Sequence, residues 1–316
     1  MALRIVTVFG GSGFIGRHLI RRLAKTGATI RVPVRNAEKA KFLKPMGDVG
    51  QIVPIAVDIR DPAAVAAQVA HADAVVSLVG ILAPTQGRSF KAIQADAPGV
   101  IARAAAAAGA SRLVHVSAIG ADLEAAAEYA RTKAEGEQAV RAGFPTATIL
   151  RPSIVFGPED GFFNLFAAMA RLAPVLPAFG GGTTRMQPVY VGDVADAIMA
   201  ALTTPAHLGQ TYELGGPEVH SFRDLLQMAL DHSGRGGKPI IGIPFPIAML
   251  QGWVLEKLPM KLLTQDQVTM LKSDNVVSGQ LPGLEAFGIQ PTALATILPT
   301  YLNRFRSGGR FAPKSA

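Results

Sequence analysis

Arg4-Ile5-Val6-Thr7-Val8-Phe9-Gly10-Gly11-Ser12-Gly13-Phe14-Ile15-Gly16 runs a short apolar strand straight into a glycine-rich turn, and a helical pattern follows. The spacing is Gly10-x-x-Gly13-x-x-Gly16, and each glycine meets a different demand. Gly10 permits the tight turn off the strand, Gly13 lets the backbone approach a pyrophosphate, and Gly16 lets the helix pack on the sheet. The helix N-terminus then offers phosphates its unpaired N–H groups and a partial positive charge. A dinucleotide is therefore expected here, with Gly10, Ser12, Gly13, Phe14, Ile15 and Gly16 as contacts.

Working outward, Leu19, Ile20 and Leu23 give the helix an apolar face, and Gly27 stands where a C-cap belongs. Strands read at 4–9, 29–34, 52–57, 74–80, 112–117 and 147–151, and helices at 14–26, 36–44, 62–70, 89–108 and 125–142. Such alternation predicts an α/β fold with a doubly wound parallel Rossmann sheet. The second half is punctuated by Pro and Gly, with helical pieces at 162–172, 193–202, 221–233, 247–258 and 264–272. The expected organisation is a dinucleotide-binding domain over 1–157 and a smaller, irregular C-terminal lobe over 158–316 that caps the cofactor cleft. Gln187–Val191 is expected to lead back to the sheet, within a return segment near 186–203.

The chain has 316 residues and no cysteine, which excludes disulfides, a thiolate nucleophile and Cys-based metal sites. The histidines at 18, 71, 115, 207, 220 and 232 never fall at i,i+4, so no metal is expected. The net charge of +8 suits either a solvated basic surface or an anionic partner. No acidic residue follows Glu285, whereas Arg304, Arg306, Arg310 and Lys314 do. No aromatic–basic pattern points to nucleic acid. The first strand begins close to Met1, so no leader peptide is expected, and no apolar run is long enough to predict a membrane-spanning helix.

A Rossmann domain selects its cofactor at the end of the second strand. Here that strand ends in Arg35, with no carboxylate before Glu38. A guidanium there can contact a 2′-phosphate, so NADP(H) is expected over NAD(H). Asp58, after the third strand, is placed to accept from the adenine amino group, with Ile59 beside it. Leu78, Val79 and Gly80 end the fourth strand, where small and apolar residues let backbone lie against the cofactor.

Tyr129 and Lys133 stand at i,i+4 on one helix. A lysine ammonium beside a phenol lowers its pKa, and the lysine can also hold the nicotinamide ribose. Together with the glycine turn and Arg151-Pro152-Ser153-Ile154-Val155-Phe156-Gly157, this pair resembles the short-chain dehydrogenase/reductase superfamily, in its extended and atypical branches.

Four further stretches are similar to the nucleotide-binding accessory subunits of respiratory complex I: residues 115–121, 187–195, 271–277 and 298–306. The resemblance implies a tightly held NADPH that is not turned over, with Ser117 and Pro152 among its contacts. It also implies a single copy docked on peripheral-arm and membrane-arm subunits of complex I, at the cytoplasmic face of a bacterial inner membrane or the matrix face in mitochondria. Catalytic relatives carry a Ser or Thr hydroxyl where this chain has Ala118 or Ile119, and neither can donate a hydrogen bond. Tyr129 and Lys133 are accordingly read as a vestigial catalytic pair that contacts the cofactor. The alternatives are an NADPH-dependent reductase or epimerase using Tyr129 as acid–base, and an NADP(H) sensor.

Ile247, Leu250, Val254 and Leu258 share one helical stripe, with Trp253 beside it. The stripe fits a helix packed on the second lobe, or one lying at a bilayer surface or against a membrane subunit, where the basic tail would suit anionic lipid.

Overall fold

The first strand, β1 (Ile5–Phe9), is buried along most of its length and feeds α1 (Phe14–Ala24) through the glycine turn. β2 (Thr29–Val34), β3 (Ile52–Ala56), α2 (Pro62–Val69), β4 (Ala74–Ser77), α3 (Ala97–Ala107), β5 (Arg112–Val116), α4 (Glu128–Gly143) and β6 (Thr148–Pro152) follow. The computed structural model describes residues 3–85, 87–258 and 263–309. Arg310 and Lys314 of the basic tail lie outside them.

All six strands join one parallel sheet, extended by Thr211–Leu214 beyond β6. In space β3-β2-β1 lie on one side and β4-β5-β6 and the added strand on the other. The order reverses between β1 and β4, the place where doubly wound sheets open a crevice for ligands. Phe9, Val75, Ile101, Leu113 and Val140 form the core between the sheet and α2–α4. Leu19, Ile20 and Leu23 of α1 are fully buried, as the apolar spacing required.

Two local departures from regular helix matter. Residues 38–46 form a 3-10 turn sequence ending at Pro45-Met46 rather than an α-helix. Residues 91–96 form a π-helical segment leading directly into α3. A Cβ on Gly136 of α4 would stand 2.0 Å from the Gln94 carbonyl, so only glycine lets α4 pack against this segment.

The chain divides into two compact units. One comprises the residues up to Pro152 with Val191–Leu214 and Ser278–Gln290. The other comprises Ser153–Tyr190, Gly215–Val277 and the residues from Pro291. The segment expected to lead back continues from Val191 as part of the first unit. Val189–Tyr190 pairs with Val155–Phe156 inside the second unit, and the sheet gains Thr211–Leu214.

In the second unit, Phe156, Phe163, Phe222 and Leu298 share a core with Tyr301 and Leu302. Tyr301 donates to the buried Asp160, whose carboxylate also receives the Gly157 and Asn164 amides. Asn275 takes the Gln187 amide on its carbonyl and the Ser153 hydroxyl on its side chain. Asp274 holds Arg185 at 2.7 Å. The stretches 271–277 and 298–306 are thus the framework of this unit.

Candidate nucleotide site

The glycine turn has no room for side chains. Gly10 lies at φ +80°, and a Cβ there would stand 3.0 Å from the Leu78 backbone at the end of β4. A Cβ on Gly16 would fall 2.5 Å from both the Gly10 oxygen and the Gly11 Cα. Turn and helix are stitched by Gly13 N–H to Gly10 O at 2.9 Å and Arg17 N–H to Gly13 O at 3.1 Å. Gly13 caps α1 without any side-chain cap, and the first turn holds no acidic residue. Gly13 is exposed, and Ser12, Phe14 and Ile15 are half-buried. The positive end of α1 is thus left open to an anion rather than closed by a side chain.

Leu78, Val79 and Gly80 lie just past β4, which stops at Ser77, and Gly80 is exposed. Lys133 reaches this edge from α4. Its Nζ donates to the Val116 carbonyl at 3.2 Å and stands 3.4 Å from where a Gly80 Cβ would be. The lysine is only 4% exposed, and burial lowers its pKa to about 8 against the opposing pull of Glu137. Ser117 lies one residue past β5, buried, with no hydrogen-bond partner for its Oγ. Two N–H groups of Lys133 and the Ser117 hydroxyl therefore remain for a ligand that brings its own polar atoms. Ribose hydroxyls meet that demand, and the glycine cradle fits a pyrophosphate, so the residues present fit a dinucleotide.

Tyr129 is half-buried beside Phe90, with ring centroids 6.0 Å apart, and burial pushes its pKa up to about 12. The expected lowering by Lys133 is not seen: desolvation of the phenol sets the direction of the shift. Tyr129 is thus held protonated at neutral pH. Ala118 is half-buried and Ile119 buried, and the Ile119 amide is taken by the Pro152 carbonyl at 3.0 Å. Pro152, at the end of β6, is itself buried.

The sequence reading missed Gln94. It is fully buried, donates to Thr132 at 3.1 Å and accepts from the Ile81 amide at 3.3 Å. It braces the loop after β4 against α4, next to Lys133. Its spacing looks like any helix position, so only the π-helical segment reveals it.

At the other end of the site, Arg35 is exposed at the end of β2. Asp58 is forked by Arg60, with contacts of 2.6 and 2.9 Å, which lowers its pKa to about 2. Asp58 therefore presents an ion pair, not a bare carboxylate, beside half-buried Ile59. Arg60 also donates to the Gly87 carbonyl at 2.8 Å, bracing the turn in which Thr85 and Arg88 pair. Burial, then Arg35 and Arg60, hold the Arg88 guanidinium below its ordinary range. Arg60 and Arg88 both act on Asp58, and Arg35 acts on Arg88, so positive charge is in local excess here. Arg88 escaped the sequence reading because the loop after β4 brings it to Arg35 and Arg60 from far along the chain. Among the described residues, no group of His, Asp and Glu gathers as a metal site.

A family model described as the NAD dependent epimerase/dehydratase family matches residues 6–215. The mitochondrial NADH dehydrogenase [ubiquinone] 1 alpha subcomplex subunit 9 of Arabidopsis thaliana is 36% identical, over 96% of this chain and 79% of its own length. The subunit of the same name from Rattus norvegicus is 33% identical, over 96% of this chain and 81% of its own. Among solved structures, an Escherichia coli NADPH-dependent quinone oxidoreductase complexed with NADPH superposes with a TM-score of 0.71 at 21% identity. That superposition covers 94% of this chain and 98% of the other, and it supports the fold. The chain belongs to the NAD dependent epimerase/dehydratase family and, within it, groups with the alpha subcomplex subunit 9 proteins.

Proposed function

We propose that the protein is an NADPH-holding accessory subunit of respiratory complex I, peripheral to the membrane on its cytoplasmic or matrix side. The observation that carries this reading is similarity along 96% of the chain, both units included, to subunits of that complex. Gly10, Gly13 and Gly16 would hold the pyrophosphate, Ser117 and Lys133 the nicotinamide ribose, and Arg35 the 2′-phosphate. The bound dinucleotide would supply a hydride donor. This chain offers little to use it, because neither the Ala118 nor the Ile119 side chain can polarise a carbonyl. The nucleotide then acts by stabilising the unit that binds it, by about 4 kcal/mol at a thousand times its Kd.

The test is to denature the purified protein and chromatograph what it releases. Near-stoichiometric NADPH is expected, not displaced by excess NADH. Protein that releases no nucleotide and binds neither form in calorimetry would contradict the reading.

A second reading, an NADPH-dependent reductase or epimerase, rests on Tyr129 and Lys133 being one turn apart on α4 with Lys133 at the strand ends. Tyr129→Phe separates the two. An enzyme loses turnover, whereas an accessory subunit keeps its nucleotide and its place in the complex.

A further inference from the structure

The helix Phe245–Leu255 has no charged residue and is apolar all round. Such helices are normally enclosed on every side. This one is enclosed on one side only, where Phe245, Met249 and Leu255 pack around Ala248, Leu263 and Val268. Ala248 and Gly252 are buried, and a Cβ on Gly252 would stand 3.0 Å from the backbone of Thr264 and Gln265. On the opposite side four large side chains turn outward: Ile247 is 52% exposed, Leu250 62%, Trp253 48% and Val254 49%. Leu258 continues the stripe at 47%. A contiguous apolar strip of this kind marks an interaction surface.

Its charges indicate what covers it. The Lys257 ammonium lies 3.4 Å from the Trp253 ring centroid, and Lys272 lies 5.9 Å from the Phe245 ring. The neighbouring carboxylate, Glu256, is turned back onto the Gln265 amide at 3.2 Å. An apolar strip edged by ammonium groups and an indole matches the boundary between acyl chains and phosphates. No helix of the described residues is long and apolar enough to cross a bilayer, so the helix would lie along it. We infer that the outer face of Phe245–Leu255 lies in the headgroup–acyl boundary of an anionic phospholipid membrane, with Trp253 and Lys257 at the level of the phosphates. This surface deepens the peripheral membrane placement proposed above and rests on it, but it belongs to the second unit and does not depend on nucleotide binding.

Trp253 is the only tryptophan of the chain, so its fluorescence reports this face alone. The full-length protein is mixed with vesicles of phosphatidylcholine and phosphatidylglycerol. Trp253 emission should shift to the blue, brominated acyl chains should quench it, and the protein should co-sediment. Pure phosphatidylcholine should bind at least tenfold more weakly. Lys257→Gln should weaken binding to the anionic vesicles about fivefold. Leu250→Glu should abolish it with the melting temperature unchanged, because Leu250 is exposed. Absence of shift, quenching and sedimentation with anionic vesicles would overturn the inference. Equal affinity for neutral vesicles would overturn its electrostatic half. A blue shift that grows with protein concentration in the absence of lipid would assign the face to a second copy of the chain instead.

Discussion

Lys133 donates to the Val116 carbonyl at 3.2 Å, which fixes its ammonium where β4 and β5 end. That position explains both its burial and its availability. The cost of desolvating it is relieved if a ribose brings hydroxyls to the remaining N–H groups. Lys133→Met should weaken NADPH binding about ten- to a hundredfold, the size of one or two charged hydrogen bonds. Its apo form should show a second signature. The folded pKa of about 8 lies below the ordinary 10.5, so between these values the unfolded chain binds more protons and stability rises with pH. Urea titrations of the apo protein across that window should show a rise that the variant lacks.

His115 gives the opposite end of the pH scale. It is fully buried on β5, level with the buried Ser77 of β4, and neither of its nitrogens has a partner. Burial, and secondarily Lys133, lower its pKa to about 3. Between that value and 6.5 the unfolded chain takes up a proton that the folded chain refuses, so stability falls as the pH drops. The expected loss is about 1.4 kcal/mol per pH unit at most. In His115→Phe, melting temperatures should depend less steeply on pH in this range.

The guanidinium group of Arg35, Arg60 and Arg88 should decide which dinucleotide is preferred. Arg35→Ala and Arg88→Ala should each lower NADPH affinity about tenfold or more and leave NADH affinity nearly unchanged. Competition by 2′,5′-ADP against 5′-AMP reads the same preference. A parallel loss for both dinucleotides would place these arginines elsewhere than at the 2′-phosphate.

Gly16→Ala sets a Cβ 2.5 Å from backbone atoms of Gly10 and Gly11, and backbone cannot swing aside as a side chain can. A loss of about 1–3 kcal/mol in stability is expected, with nucleotide retention lost alongside. Gly27→Ala is the control for glycine replacement outside the site. It meets no atom within 4 Å, and its φ of +78° costs only local strain.

Much of the first unit was legible in the sequence because its signals are local. Alternating apolar runs and the three glycines state their geometry within a few residues. Thr211–Leu214 was missed as a strand because it is short and carries Glu213. That carboxylate is buried yet satisfied, since it accepts the Ser278 amide at 2.6 Å, a contact no local pattern announces. Gln94 and Arg88 were missed for a related reason: segments far apart in sequence bring them to the site. The stripe Ile247, Leu250, Val254 and Leu258 was legible from its spacing, but whether it packs on the second lobe or faces outward was not, because the rest of the helix is apolar too.

The central claim is assembly with complex I, and the direct measurement is purification of the tagged protein from detergent-solubilised membranes with mass spectrometry of what accompanies it. The account predicts NADH:quinone oxidoreductase subunits in near-equal amounts, with NADPH in the same fraction. Recovery of the protein alone, with no such subunits, would contradict it.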